Sequence, residues 1–175
     1  EYTFVTKLIG RHNVQNIAGA IAVADTLGVP MEDIAVQVRR LESVPHRLQL
    51  INKGRDILID DAFNSNPSGA KAALSVLGEF SGFKVLITPG MIELGEKQYE
   101  LNYEFGRQAA EVCDFVALVG ERQTKPIHDG LLSAGYDKNK IFVGATIQTA
   151  LTAVDSLVTN DRKVILLEND LPDNY

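Results

Sequence analysis

From residue 56 onward, short apolar runs alternate with longer segments whose apolar residues recur at helical spacing. Alternation of this kind is typical of a mainly parallel sheet, because the connecting helices must cover the faces of the sheet. We therefore predict an α/β fold with a mainly parallel, Rossmann-like sheet and helices on both faces. The predicted strands are 56–59, 84–88, 115–119, 141–143 and 163–167, and the predicted helices are 67–80, 97–112, 126–134 and 146–157.

The first 44 residues follow a different pattern. Apolar residues at helical spacing predict helices over 13–27 and 32–41, and Pro45 marks a boundary after them. Beyond it, 47–51 and 56–59 are predicted as two strands joined by a turn. We expect two domains, a short helical segment over 1–44 and the α/β unit over 45–175. Because the chain begins at Glu1 without an initiator methionine, we also expect it to be a piece of a longer protein.

The charge balance excludes some classes of function. Seventeen basic against 23 acidic residues give a net charge of −6, which argues against a nucleic-acid groove or an anionic membrane surface. No apolar run is long enough to be a membrane span. The single cysteine, Cys113, cannot form an intrachain disulfide and is predicted to be a buried thiol. This usage favours a cytoplasmic protein.

A group of acids and carboxamides follows the predicted strand 56–59. Asp60 and Asp61 fall where that strand ends, and Asn64 and Asn66 lie between them and the next helix. Ligands of open α/β sheets bind beyond the carboxyl ends of the strands, so these residues form a candidate polar site. The alternative is that Asp60, Asn64 and Asn66 only turn the chain and cap the helix.

Three short motifs occur in a fixed order: G-R-H-N-V-Q-N at 10–16, P-H-R at 45–47 and D-D-A-F-N-S-N-P at 60–67. Asn13 and Asn16 are three residues apart at a helix start, so both carboxamides can face one way. Each offers a donor and an acceptor together, as an adenine edge requires. The alternative for Asn13 is a helix N-cap. The sequence contains no glycine-rich Walker loop, so a phosphate cradle would have to come from elsewhere.

This ordered set resembles the Mur ligase superfamily, and most closely its MurF type, which adds D-alanyl-D-alanine to a UDP-linked muramoyl tripeptide. A fourth segment, G-M-I-E-L-G at 90–95, looks like the family's G-x-M-x-E-L-G loop. The resemblance implies that 1–44 ends a central ATPase domain and that 45–175 is the C-terminal domain. It also implies an ATP-dependent amide ligase of peptidoglycan precursor synthesis, and hence of cell wall biogenesis, cell shape and cell division.

The cofactors implied by the resemblance are ATP and Mg²⁺, with the metal ligands expected upstream. The implied partners are a UDP-muramoyl-peptide-like substrate and an amino-acid or dipeptide acceptor. Asn13 and Asn16 would lie at the adenine, while Arg47 and Asp61 would reach the ribose and phosphates. Their chemistry agrees, since a guanidinium suits phosphate oxygens and a carboxylate accepts from ribose hydroxyls. Glu93 would line the acceptor cleft, unless it is only an acid at a helix start.

Other motif positions are weaker candidates. Asn64 and Asn66 are candidate substrate-binding residues, although with Asp60 they are expected mainly to shape their loop. His12 and His46 match motif positions, and a structural role stays open for both. No catalytic residue is assigned within this chain. Without a phosphate loop, the 175-residue chain alone is predicted to be inactive.

Two departures from the MurF pattern concern the acceptor side. Asn102-Tyr103 stands where MurF-type enzymes usually carry a histidine, and E-N-D-L-P-D at 168–173 replaces a K-G-S-R-like loop. If Glu168, Asp170 and Asp173 face the cleft, they disfavour an acceptor with a free carboxylate. If they pack outside it, they are a solvated loop.

Two alternatives to the MurF reading stay open. One is a related ligase, similar to folylpolyglutamate synthase or cyanophycin synthetase, and the other is a non-catalytic MurF-like binding module. An upstream Walker loop would favour a ligase.

Overall fold

The computed structural model describes residues 2–63 and 65–169. Within them the chain forms six strands and six α-helices, with short 3-10 turns at Gly95–Lys97 and Lys138–Lys140. The strands are β1 Gln49–Lys53, β2 Asp56–Asp61, β3 Phe83–Thr88, β4 Phe115–Val119, β5 Ile141–Gly144 and β6 Lys163–Glu168. The helices are α1 Arg11–Thr26, α2 Met31–Arg40, α3 Pro67–Glu79, α4 Gln98–Val112, α5 Glu121–Ser133 and α6 Ile147–Asp155.

All six strands join one sheet in the order β1-β2-β6-β3-β4-β5. β1 pairs with β2 as an antiparallel hairpin, and every other pairing is parallel. The predicted mainly parallel α/β sheet is therefore confirmed. The carboxyl ends of β2, β6 and β3 lie side by side, next to the start of β1. We call this edge the crest, formed by residues 45–48, 60–63, 65–66, 88–94, 168 and 169.

Helices cover both faces of the sheet, as predicted. One face packs against α3, α4 and α5, with strand residues such as Leu86, Val116 and Leu166 completely buried. The other face packs against α6, where Val85 and Ile87 meet two of its apolar residues. Because successive strand residues point to opposite faces, β3 supplies both cores and reads as a continuous apolar run.

The helices α4 and α5 approach closely because each carries a glycine at the crossing. A Cβ atom on Gly106 would lie 2.2 Å from the carbonyl oxygen of Ile127, and one on Gly130 would lie 2.0 Å from that of Tyr103. Any side chain at either position would collide with backbone. The two helices are thereby fixed against each other and against the sheet.

The predicted helical lead-in is present as α1 and α2, which share a separate small core around Ile17, Ile34 and Val38. Ile9, just before α1, packs instead against the main core of the sheet. Gly10 also lies close to Val76 of α3, so the start of α1 packs against that helix. No helix among residues 2–63 and 65–169 is long and apolar enough to cross a lipid bilayer.

Three predicted boundaries were wrong for identifiable reasons. β1 starts at Gln49 rather than at 47, because His46 and Leu48 have φ values of +61° and +45°, which an extended strand cannot contain. α1 starts two residues earlier than predicted, with Gly10 as its N-cap. α5 starts at 121 rather than 126, directly after Gly120 turns the chain out of β4 with a φ of +85°.

Candidate functional site

The two acids at the end of β2 have different surroundings. Asp60 is buried, and its Oδ2 lies 2.9 Å from Nδ1 of His46. Its Oδ1 accepts a hydrogen bond from the backbone N–H of Ala62 at 3.2 Å, and the N–H of Phe63 donates to the carbonyl of His46 at 3.1 Å. Asp60 therefore ties the P-H-R segment to the end of β2. The structural role left open for His46 and the loop-shaping role expected of Asp60 are both supported.

Asp61 is where the three sequence motifs meet. Its Oδ1 accepts a hydrogen bond from the N–H of Leu48 at 3.0 Å. Burial raises the pKa of the Asp61 carboxyl, the Leu48 bond opposes that rise, and nearby His12 and Arg47 also lower the pKa. The structure thus brings His12 and Arg47, from two other motifs, close enough to Asp61 to interact with its charge.

Arg47 is exposed and lies over an aromatic ring. Its guanidinium carbon is 4.4 Å from the ring centroid of Phe63, a cation–π contact. Phe63 itself is 62% exposed at the tip of the loop after β2. The stacking restricts the guanidinium while leaving its in-plane N–H donors open to a ligand. Sequence reasoning missed Phe63, and its only signal was an aromatic residue between the paired acids and N-S-N-P.

Asn13 and Asn16 both lie in the first two turns of α1. The Nδ2 of Asn13 donates to the carbonyl of Ile9 at 2.8 Å, so one donor of this amide is used within the chain. Asn16 is exposed. The N-cap alternative for Asn13 is wrong, because Gly10 occupies that position.

The donors and acceptors of the candidate nucleotide residues fit an adenine nucleotide in chemical type. The Asn13 amide oxygen and the Asn16 amide can pair with a base edge, since an amide offers both a donor and an acceptor. The Arg47 fork suits phosphate, and the half-buried Asp61 carboxylate suits a sugar hydroxyl. No group of three or more His, Cys, Asp or Glu side chains in the described part of the chain could hold a metal ion.

Asn66 is the N-cap of α3, because its Oδ1 accepts from the N–H of Gly69 at 3.0 Å. The capping alternative is thereby confirmed for Asn66, and this contact gives no support to a substrate-binding role. Asn64 lies outside the described residues.

Glu93 is exposed in the loop between β3 and α4, with a φ of +61°. The alternative that it starts a helix is wrong, since α4 begins at Gln98 after a 3-10 turn. A non-glycine residue in this conformation is strained by roughly 1–3 kcal/mol, and such strain concentrates at functional sites. The conformation therefore supports Glu93 as a candidate contact for an acceptor.

The loop that carries Glu93 is held by Asn102, a residue noted in the sequence only as a departure. Its side chain is fully buried, and its Oδ1 accepts from the N–H of Met91 at 2.8 Å. Its Nδ2 donates to the carbonyls of Met91 at 2.9 Å and Gln98 at 2.8 Å. The signal available in the sequence was a polar residue on the apolar face of α4, one turn before Phe105.

Glu168 ends β6 as a buried carboxyl, only 1% exposed. It accepts hydrogen bonds from the hydroxyls of Ser65 and Thr88, the latter at 3.3 Å. Burial raises the pKa of Glu168 to about 7, the charge of Asp61 adds to the rise, and the two hydroxyls oppose it. Both alternatives considered for Glu168, a charge facing the cleft and a solvated loop residue, are therefore wrong. Asp170 and Asp173 lie outside the described residues.

Known proteins with similar sequences are ligases. The chain is 34% identical over 117 residues to the UDP-N-acetylmuramoyl-tripeptide--D-alanyl-D-alanine ligase of Escherichia coli (strain K12), covering 66% of this chain and 26% of that enzyme. The chain thus spans about a quarter of the length of this relative.

Solved structures with the same fold include MurF enzymes. A crystal structure of MurF from Acinetobacter baumannii matches 95% of this chain and 36% of its own, with a TM-score of 0.83 and 29% identity. MurF ligase from Thermotoga maritima in complex with ADP matches 91% of this chain and 35% of its own, with a TM-score of 0.76. At 23% identity the Thermotoga structure shows the fold alone.

The resemblance predicted from the four motifs is confirmed by a family-level match. The family described as "Mur ligase, glutamate ligase domain" matches residues 46–167, well over half of the chain. The match begins at His46 of the P-H-R segment and ends one residue before Glu168. The chain belongs to the Mur ligase family, of which it carries the glutamate ligase domain.

Proposed function

We propose that this chain is the nucleotide-closing and acceptor-binding part of a MurF-like, ATP-dependent amide ligase of peptidoglycan precursor synthesis. The observation that carries the proposal is the convergence of His12, Arg47 and Asp61, from three motifs, at the carboxyl edge of a parallel sheet. That edge is where ligands of such sheets bind. The MurF relatives support the reaction class.

The proposal includes a division of the chain and a cellular setting. Residues 1–44 would end the central ATPase domain and 45–175 would form the C-terminal domain, which is consistent with the separate small core of α1 and α2. The substrates would be a UDP-muramoyl-peptide and D-alanyl-D-alanine. The enzyme would act in the cytoplasm, and its Mg²⁺ ligands would come from other parts of the protein.

ATP, when bound, supplies the phosphoryl group that activates a carboxylate for attack by an amine. The residues of this chain bind and orient the reactants. Arg47 neutralises phosphate charge, Asp61 accepts from the ribose, and Asn13 and Asn16 contact the adenine. Glu93 lies at the opposite side of the crest, towards the acceptor. Closure of these groups over the nucleotide orients the reactants and excludes water, which is how a lid domain contributes to rate.

The proposal is tested in the full-length protein that contains this chain. We expect Arg47→Ala and Asp61→Asn each to lower kcat/KM for ligation about ten- to a hundredfold, since a lost charge-assisted contact costs roughly 1.5–3 kcal/mol. Lys53→Ala, an exposed basic residue at the far end of β1, is the matched control and should leave kinetics unchanged. Thermal melting of each variant separates a loss of contacts from a loss of fold.

Three outcomes would contradict the proposal. Wild-type kinetics of both site variants at limiting ATP would remove the assigned roles of Arg47 and Asp61. Amide formation only with a folate as the carboxylate substrate, or only with a different amine acceptor, would favour a related ligase. Nucleotide binding without amide formation would favour a binding module. The 175-residue chain alone is expected to release no ADP from ATP.

A further inference from the structure

The end of β6 lies between the two loops that carry the candidate nucleotide and acceptor contacts. β6 pairs with β2 on one side and with β3 on the other. Glu168, its last residue, accepts from the Ser65 hydroxyl in the loop after β2 and from the Thr88 hydroxyl at the end of β3. One buried carboxyl therefore bonds to both neighbouring segments.

Asn169, the next residue, makes a second bridge. Its backbone N–H donates to the carbonyl of Asp61 at 3.2 Å, and its Nδ2 donates to the carbonyl of Gly90 at 2.7 Å. The N–H of Gly90 in turn donates to the Thr88 hydroxyl oxygen at 2.9 Å. Asn169 has a φ of +64° and is buried, which is a strained conformation that the two bonds hold in place.

We propose that Glu168 and Asn169 are positioning residues that couple the loop after β2 to the loop after β3, so that neither loop moves without the other. The effect of this coupling on catalysis rests on the proposed function, because the coupling links the nucleotide contact Asp61 to the loop that carries Glu93, the acceptor loop. The coupling itself rests only on the hydrogen bonds.

The protonation state of Glu168 affects the hydrogen bonds to both loops. As a carboxylate it accepts from the Ser65 and Thr88 hydroxyls; once protonated, it must donate one of these bonds, so a hydroxyl has to turn. The charged group that faces it is Asp61 on β2, which raises its pKa, and its partners from the β2 loop and from β3 are neutral hydroxyls. Next to Asp61 lie the charged or titratable groups of His12, Asp60 and Arg47.

The coupling is tested by NMR of the 175-residue chain across about pH 5.5 to 8.5, a range centred on the Glu168 pKa of about 7. The probes are the backbone amides of Ala62 and Phe63 in one loop and of Gly90 and Met91 in the other. We expect all four to titrate with one shared midpoint. In Glu168→Gln, whose amide mimics the protonated carboxyl, the shared titration should disappear from both loops.

Two further variants identify the titrating group. Asp61→Asn should lower the shared midpoint, because it removes the negative charge beside Glu168. His46→Gln should leave the midpoint unchanged. Separate midpoints for the two loops, a shared titration that survives Glu168→Gln, or its loss in His46→Gln would each overturn the inference.

Kinetics of the full-length protein test the catalytic part. We expect Glu168→Gln and Asn169→Gly to change KM for both ATP and the acceptor and to lower kcat about tenfold, in protein that is folded at the assay temperature. Asn169→Gly keeps the backbone conformation and removes only the bond to Gly90. A change in KM for one substrate alone would overturn the coupling. A wild-type protein without ligase activity would instead refute the proposed function and leave the NMR result unaffected.

Discussion

The two edges of the sheet both contain residues with positive φ, but the residue types differ. At the amino edge, the turns that need a positive φ use glycine, as at Gly54, Gly82 and Gly135. At the crest, the same region of conformational space is also occupied by larger side chains. The described residues contain four non-glycine positions with positive φ, and all four lie at or beside the ends of crest strands: His46, Leu48, Glu93 and Asn169.

The difference lies in how each edge accommodates a positive φ. A glycine adopts a positive φ without steric cost, whereas another residue is strained by roughly 1–3 kcal/mol unless its surroundings impose the conformation. At the crest, buried Asn102 and half-buried Asp61 bond to the loop backbone, and buried Glu168 accepts a hydrogen bond from the Ser65 side chain. The amino edge therefore uses residues that adopt a positive φ without strain, whereas the crest holds particular side chains in that conformation.

The largest expected effect comes from removing the buried amide under the acceptor loop. Asn102→Leu should lower the free energy of unfolding by about 4 kcal/mol, because the N–H of Met91 and the carbonyls of Met91 and Gln98 lose their partner, at roughly 1–3 kcal/mol for each buried group. Urea unfolding measures the change. Asn102→His, which keeps one donor and one acceptor, should recover part of the loss. A loss below about 1 kcal/mol would mean that the backbone groups of the loop find other hydrogen-bond partners when Asn102 is replaced.

The next effect concerns the pH dependence of stability. A carboxyl whose folded-state pKa lies above its unfolded value binds a proton more tightly when folded, so its ionisation destabilises the fold. With the Glu168 pKa raised from 4.5 to about 7, stability should fall as pH rises through that window and then level off. We expect Glu168→Gln to be the more stable form at pH 8, by at most on the order of 3 kcal/mol. Equal stabilities of the two proteins at all pH values would contradict the burial of this charge.

A change at the amino edge should alter stability without altering chemistry. Gly82 has a φ of +130°, and a Cβ there would lie 2.5 Å from the carbonyl oxygen of Arg162. Gly82→Ala should therefore lower the unfolding free energy by about 2 kcal/mol. The folded fraction should keep wild-type kcat and KM for ligation. Altered KM values in folded Gly82→Ala would show that the two edges are not independent.

The smallest effect has the opposite sign. Glu93→Gly should relieve backbone strain, so the free energy of unfolding should stay unchanged or rise by up to about 1 kcal/mol. The same change should raise the KM for the acceptor. Gly54→Ala, at an open turn with a φ of +68°, is the matched control, because it should lower stability by about 1 kcal/mol and leave kinetics unchanged. Thermal melting and acceptor titration measure both variants. A destabilised Glu93→Gly with normal KM would assign Glu93 to folding.

The sequence predicted an element correctly where its apolar pattern is compatible with only one kind of secondary structure. β4 was predicted with its correct ends because residues 115–119 are continuously apolar and form an interior strand that is mostly buried. The motifs also identified Arg47 and Asp61, which the fold brings together. β1 was misplaced because a positive φ at His46 and Leu48 leaves no trace in an apolar pattern.

The supporting groups of the crest could not be predicted from local sequence. Glu168 bonds to Ser65 and Thr88, which are 103 and 80 residues away along the chain. Its environment exists only after β2, β6 and β3 have paired. An acid at the end of a strand was therefore read as a surface charge, because exposure is the usual state of an unpaired glutamate.

The close approach of α4 and α5, at Gly106 and at Gly130, affects how the loop between β3 and α4 can move. α4 holds this loop through Asn102, and α5 holds it through Gln123, whose Nε2 lies 3.4 Å from the carbonyl of Met91. Because the two helices touch through their backbones, they form a single stiff block with no room to slide. The loop is therefore fixed to that block, and we expect it to approach a substrate only through movement of the whole domain.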